Sequence, residues 1–346
     1  MRIGIDCRKI GDFGIGTYIR GLLHALVDLG GEEYVAFGPP GIPIPNGIEH
    51  VVVDAPKYSI RELFTVGRRA KIDLFHAPHY VVPFLRVPFV VTIHDLIHLR
   101  HRNPLARVYA RSMIGRAVRR SRAVIAVSSA VRDHIALTFG HAEKIRVTPN
   151  GVDHVILSRA DGEGSPGHAP YFLFVGNDKP HKNVDRLVEA FARIDVGRAS
   201  ARHVGLKSDP HVQLVLAGGA FERFRARDGI VLTGFVSSEE LAKLYRGAIA
   251  LVQPSVDEGF GLPALEAMAC GTAVITSNAP ALVEISGDAA LHVDGQSIDA
   301  IADAMKRVMN DSALRASMIA RGIERAATFT WRRCAELTRE IYRAAI

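Results

Sequence analysis

The chain has 346 residues, 48% hydrophobic and 23% charged, with a formal net charge of +7. That is longer than one comfortable core, so two domains are expected, and the composition excludes a disordered or fibrous chain. Cys7, Cys270 and Cys334 are odd in number and widely spaced, which excludes a disulfide framework or zinc cluster and suits a reducing cytoplasm.

MRIGID opens the chain as a strand; the following CRKIGDFG adds charges, so no signal peptide is predicted. TYIRGLLHALVDLG then reads as a helix, and EYVAFG, EHVVVD, DLFHAP and FVVTIHD as further strands. The apolar stretch VVPFLRVPFVVTI carries Arg86 and two prolines and is too short to span a bilayer. Residues 100–122 follow, with eight arginines and no acid. Through Asp153 there are 21 Lys and Arg against 13 Asp and Glu; the remainder holds 22 against 23. All the excess positive charge therefore sits in the first half. A solvated helix face or a face for anionic lipid explains the arginine run; nucleic acid does not, because no aromatic residues interleave to stack bases. AVIAVS, the helix SAVRDHIALTFG and KIRVTPN complete an alternation expected of a parallel, helix-covered sheet.

Residues 157–170, LSRADGEGSPGHAP, have no periodicity and read as a linker between domains at 1–156 and 171–330. The alternation then restarts with YFLFVGN, VDRLVEAFARI, VQLVLAGG, IVLTGFV, SSEELAKLYRGA, IALVQPS, PALEAMACG and TAVITS. The last helix, 331–346, is expected to pack on either domain. Two such sheets are expected to face each other across a cleft lined by their C-terminal strand ends, where open α/β sheets bind ligands.

Chemistry concentrates in DEGFGLPALEAMACG, residues 257–271. Pro263 suits a first helical turn and Gly271 a stop, which predicts a helix over about 263–270 fed by a loop of Gly259, Phe260, Gly261 and Leu262. Glycines admit close approach and a helix start favours an anion, so a nucleotide diphosphate fits there. Glu266, one turn in, is placed to accept ribose hydroxyls, and Glu258 lies where the group beyond the diphosphate would sit. A plain helix entry with acids near its positive end explains the same pattern.

The Glu-x7-Glu segment EGFGLPALE resembles the signature of retaining family 4 glycosyltransferases of the GT-B fold. GIGTYIRGLL, FHAPHY, VTIHDLIHL, TPNGVD, FLFVGNDKPHKNVDRLVEAF, LTGFVSSEELAKLYRGA and SGDAALHVD follow the family's order across nearly the whole chain. The resemblance implies an α/β fold of two Rossmann-like domains, with the acceptor on the first and a nucleotide-sugar donor on the second. It implies that Glu258 contacts the donor sugar and Glu266 the ribose. Lys182, in NDKPHKN, would neutralise the departing diphosphate, and His94, ending FVVTI, would lie beside the sugar. Phe235 and Val236 match where relatives hold the base. Many relatives carry an arginine where this chain has Asn177, so Asn177, Lys179 or another cation must serve the phosphate. His76 and His79 are weaker candidates on the acceptor side.

Gly14 and Gly16, in DFGIGTY, are expected in a loop between the first strand and first helix, with amides near the diphosphate or acceptor. Ile19 occupies the third position of a G-x-G-x-x-G pattern, which disfavours a hydride-transfer enzyme. Neither an Asp-x-Asp motif nor His/Cys ligand spacing occurs, so no metal or cofactor is implied.

The activity expected is transfer of a hexose with retained configuration, with mannose from GDP-mannose the first donor choice and a saccharide or lipid-linked molecule the acceptor. The location expected is cytoplasmic, peripheral on the inner membrane face if the arginine run meets anionic lipid. Two rivals remain: a GT-B nucleotide-sugar epimerase, and a non-catalytic protein binding nucleotide sugars or an anionic surface.

Overall fold

A computed structural model describes residues 1–53, 64, 70–153, 169–202 and 212–346. The linker expected at 157–170 lies, except for residues 169 and 170, outside the described residues. The chain divides into two compact units, one of Met1–Gly151 with Phe329–Ile346, the other of Val152–Thr328.

In the first unit the strands are β1 (Arg2–Asp6), β2 (Glu33–Gly38), β3 (Glu49–Val52), β4 (Leu74–Ala77), β5 (Phe89–Ile93), β6 (Ala123–Ala126) and β7 (Ile145–Val147). They pair in the order β3-β2-β1-β4-β5-β6-β7, and every pairing is parallel. The inner strands are buried on both faces, which is why they read as apolar runs without alternation. Helix α1 (Phe13–Leu29) buries Tyr18, Ile19, Leu22, Leu23 and Leu26. The glycines expected in a loop before this helix belong to it: Gly14 and Gly16 lie in its first turns. The helix starts early because Asp12 adopts an extended N-cap conformation and its carbonyl accepts from the Gly16 amide at 2.9 Å. Arg20 donates to the Ile10 carbonyl at 2.5 Å and ties the preceding turn to the helix.

The chain returns to this unit at its end. The last helix, Trp331–Ala345, lays the Trp331 indole across Gly21 of α1, where a Cβ would stand 2.2 Å from the ring. Its first residues press equally on Gly151, whose Cβ would meet the Trp331 nitrogen at 2.1 Å. Only glycine fits at either position.

The second unit holds β8 (Tyr171–Asn177), β9 (Gln213–Gly219), β10 (Ile230–Gly234), β11 (Ala250–Gln253), β12 (Val274–Ser277) and β13 (Ala290–Val293). Their order is β10-β9-β8-β11-β12-β13, again all parallel, over a separate core that includes Phe172, Phe174, Leu187, Leu216 and Met305. Each unit thus reverses its strand order at one place, between β1 and β4 in the first and between β8 and β11 in the second. Such reversals leave a crevice at the carboxyl ends of the two strands.

Candidate active site

The turn after β8 and the loop after β11 meet at the second unit's reversal. Lys182 ends a short 3-10 turn, Pro180–Lys182, and Glu258 follows β11 in QPSVDEG. Lys182 Nζ donates to Glu258 Oε1 at 2.6 Å. Gln253 Nε2 and Ser255 Oγ donate to the same oxygen, each at 2.8 Å. Among the described residues no hydrogen bond reaches Oε2, which remains the ligand-facing acceptor of a carboxylate held on its other side.

Burial would raise the Glu258 carboxyl, but the Lys182 charge and the three donors outweigh it and hold the group below its ordinary value. It is therefore a carboxylate at neutral pH. The two segments are also tied through the backbone. Asn183, in the left-handed region at φ 62°, donates through Nδ2 to Pro254 O at 2.9 Å and to Gly295 O at 2.5 Å, and Val256 N donates to His181 O at 2.8 Å.

The second acid sits on the helix Leu262–Ala269, whose N-cap is Gly261 at φ 106°. Leu262, expected in the loop, is the first residue of the helix. The left-handed cap turns the chain one residue earlier than Pro263, and a Cβ at Gly261 would also run into Leu282. Gly259, Phe260 and Gly261 are buried, so this loop is a packed turn rather than an open strap. Tyr245, fully buried, donates its hydroxyl to Glu266 Oε2 at 2.8 Å. Burial pushes the Glu266 carboxyl up to about 7, with the Tyr245 hydrogen bond only partly opposing it. Glu258 and Glu266 thus share a loop but differ in charge state near neutrality.

Asn177 ends β8 opposite Gly219, and its buried Oδ1 has no hydrogen-bond partner. At the same edge Gly218, at φ 124°, passes so close to Gly176 that a Cβ would stand 1.9 Å from the Gly176 carbonyl oxygen. The exposed Phe235 ring lies over Gly219, with Val236 half-buried beside it. The structure also shows a cation the sequence did not single out. Arg223, after β9, donates to Asp178 and to Asp185, with NH2 at 2.7 and 2.9 Å, and the two carboxylates raise its pKa. It is already paired, so it does not simply replace an arginine at 177. Gln253, Ser255 and Tyr245 were likewise missed; each earns its role by strand or helix placement, for which spacing gave no signal.

In the first unit, His94 follows β5 and donates from Nε2 to the Pro78 carbonyl at 3.0 Å, leaving Nδ1 as an acceptor. Burial lowers its pKa to about 4, so the imidazole is neutral at pH 7. His76 and His79 do not serve as acceptor-side groups here. His76 bonds Tyr342 at 2.6 Å and Thr92 at 2.8 Å inside the core. His79 bonds Asp6 at 3.2 Å through Nε2 and accepts from the Val81 amide through Nδ1. Both rings are spent on packing. Among the described residues no group of three or more His, Cys, Asp or Glu is placed to hold a metal ion.

Residues 14–155 match the model described as Glycosyltransferase Family 4, and residues 159–325 the model described as Glycosyl transferases group 1. O-antigen chain mannosyltransferase B of Escherichia coli is 30% identical over 294 residues, covering 80% of this chain and 75% of that protein. O-antigen chain mannosyltransferase RfbU of Salmonella typhimurium is 30% identical over 247 residues, covering 68% of this chain and 64% of that protein. Among solved structures, the sucrose-phosphate synthase of Thermosynechococcus elongatus superposes with a TM-score of 0.78 at 20% identity, covering 99% of this chain and 98% of the other. Anabaena HepE in complex with UDP and glucose gives 0.75 at 18%, covering 99% and 100%.

Proposed function

The chain belongs to the family 4 glycosyltransferases and has their α/β GT-B fold, and from that premise we propose that it moves a hexose from a nucleotide sugar with retention of configuration. Mannose from GDP-mannose is the donor favoured by the mannosyltransferase relatives. The observation that carries the reading is the Lys182–Glu258 pair at the sheet reversal, a cation and a carboxylate held together by Gln253 and Ser255.

In this reading the donor diphosphate draws Lys182 away from Glu258, and the ammonium neutralises charge on the departing phosphate. Gln253 and Ser255 keep Glu258 in place, and its Oε2 accepts a sugar hydroxyl. Glu266 accepts the ribose hydroxyls. Phe235 and Val236 hold the base, and Asn177 faces the phosphates as a neutral partner. The packed turn Gly259, Phe260, Gly261 and Leu262 sets the backbone against the diphosphate, and the first turn of α1 with Gly14 and Gly16 serves the diphosphate or the acceptor. Neutral His94 accepts a hydrogen bond at Nδ1 beside the sugar. The acceptor oxygen bonds to the anomeric carbon on the face from which phosphate leaves, and the proton passes to the departing phosphate oxygen. A saccharide or a lipid-linked glycan is the acceptor, and the basic first unit favours the lipid-linked form at an anionic membrane face.

The test is incubation with a panel of nucleotide sugars and mannose-terminated acceptors, free and lipid-linked, with the product's anomeric configuration read by NMR. Transfer from GDP-mannose with retention is expected. Epimerised donor without transfer, or nucleotide-sugar binding without turnover, would replace the proposal with one of its rivals.

A further inference from the structure

The arginine-rich segment folds into a helix, Pro104–Arg120, capped by Asn103, whose side chain accepts from the Leu105 amide. Its two halves differ. In the C-terminal half Arg116 is structural: its guanidinium donates to Val82 O at 2.6 Å and Pro83 O at 3.2 Å and lies 4.1 Å over the Phe84 ring. The N-terminal half does something a solvated helix face does not. Leu105, Val108 and Tyr109 are 79%, 67% and 40% exposed. They stand at i, i+3 and i+4, so they form one apolar stripe on the outer face. Arg102, Arg107 and Arg111 flank that stripe, all exposed, and no Asp or Glu occurs between Leu96 and Arg132. Beneath it opens a cavity of about 520 Å³ lined by Tyr80, His98, His101, Ala106, Tyr109 and Ala110. That volume falls within the roughly 300–1,000 Å³ of small-molecule sites.

We propose that this half-helix is an insertion surface for an anionic lipid bilayer, with Leu105, Val108 and Tyr109 entering the acyl boundary, the flanking arginines meeting lipid phosphates, and the cavity receiving part of an acyl chain. The charge decides the occupant. An apolar stripe inside an acid-free basic collar is what an interfacial helix presents to anionic lipid, with an aromatic ring at headgroup depth. Arginine attraction alone would dock the protein but would leave exposed leucine and valine without a use. The inference rests on the lipid-linked form of the proposed acceptor and adds the surface and the mode of attachment.

The experiment is cosedimentation of the full chain with vesicles of neutral lipid alone and of neutral lipid mixed with anionic lipid, at low and high salt. Donor and acceptor are left out, so failure here removes only the insertion surface, whereas failure of transfer removes only the proposed function. The parent is expected to need anionic lipid and to keep part of its binding at high salt. Leu105→Ser with Val108→Ser, which leaves every charge in place, is expected to weaken vesicle binding by about tenfold or more as two side chains leave the apolar phase. Arg102→Gln with Arg107→Gln is expected to flatten the salt dependence. Unfolding curves of both double variants should overlay the parent's. Equal binding by the serine variant and the parent, or equal binding to neutral and anionic vesicles, overturns the proposal. So does a concentration-dependent dimer that the serine variant abolishes, which would assign the stripe to a second copy of the chain.

Discussion

The two sheet reversals are built alike and used differently. Each lies between a unit's first and fourth strands, and each carries a carboxylate facing a cation at the carboxyl ends of those strands. In the first unit Asp6 is gripped by Arg8, with Arg8 Nε donating at 2.9 Å, and by His79. The side chains of Asp6 and Arg8 are 0% and 3% exposed, and every oxygen of the carboxylate is occupied. In the second unit Lys182 and Glu258 are 18% and 9% exposed, and three donors crowd one oxygen while the other faces out. A saturated buried pair is scaffold; a one-sided pair that a ligand can reach is a site. The crossover topology selects the place, and the saturation of the carboxylate selects the role.

The comparison breaks most visibly at the scaffold pair. Asp6→Ala strands Arg8 in the interior and is expected to cost the first unit about 3–5 kcal/mol of stability, measured by denaturant unfolding. Binding of a nucleoside diphosphate, assigned to the second unit, should survive at temperatures where the variant is folded. Loss of that binding from a well-folded variant would make the first reversal part of the donor site.

Lys182→Met is expected to lower turnover by roughly 10²–10³-fold, the scale of removing one preorganised charge from a transition state. It should also change the pH response. In the parent, Glu258 titrates below its ordinary value of 4.5, so its stabilising share is present above that value and lost as pH falls through the lowered one. Without Lys182 the burial effect is opposed only by neutral donors, the carboxyl shifts upward, and this share shrinks or reverses. Melting curves from acid to neutral pH read the difference; identical profiles would mean that Lys182 does not govern Glu258.

A smaller effect sharpens the contrast inside the second unit. Glu266 titrates at about 7 against an ordinary 4.5, so the folded protein holds its proton more tightly than the unfolded chain, and stability falls as pH rises across that window and levels above it. Ribose hydroxyls favour the ionised form. Nucleoside diphosphate binding should therefore release protons below about pH 7 and strengthen as pH rises toward it. Calorimetry in buffers of different ionisation enthalpy, compared with Glu266→Gln to subtract the ligand's own phosphate, checks this.

Much of the architecture was legible because buried parallel strands are apolar runs and the helices between them carry caps and periodic faces. The two acids were legible for a local reason: the glycines and Pro263 between them announce a turn entering a helix. Their environments were not. Gln253 and Ser255 reach Glu258 because β11 ends beside β8, and Tyr245 reaches Glu266 from a neighbouring helix, Ser238–Gly247; pairings across 21 residues leave no spacing signal. Gly14 and Gly16 were placed in a loop because glycine disfavours helices, yet α1 begins before them, where Gly16 fits against the Ile10 carbonyl and a Cβ would not. Histidines in FHAPHY looked chemical in sequence because their partners, Tyr342 and Asp6, lie far along the chain.

The division of labour between Glu258 and Glu266 is tested most directly by titrating GDP into the parent, Glu258→Gln and Glu266→Gln, with transfer rates measured on the same preparations. The account predicts that Glu266→Gln weakens GDP by about 1.5–3 kcal/mol, the range for a lost hydrogen bond to a charged group. It predicts that Glu258→Gln binds GDP as tightly as the parent, or more tightly because Lys182 is released toward the phosphates, while losing most of its turnover. Equal losses of GDP affinity in the two variants, or normal turnover by Glu258→Gln, would contradict it.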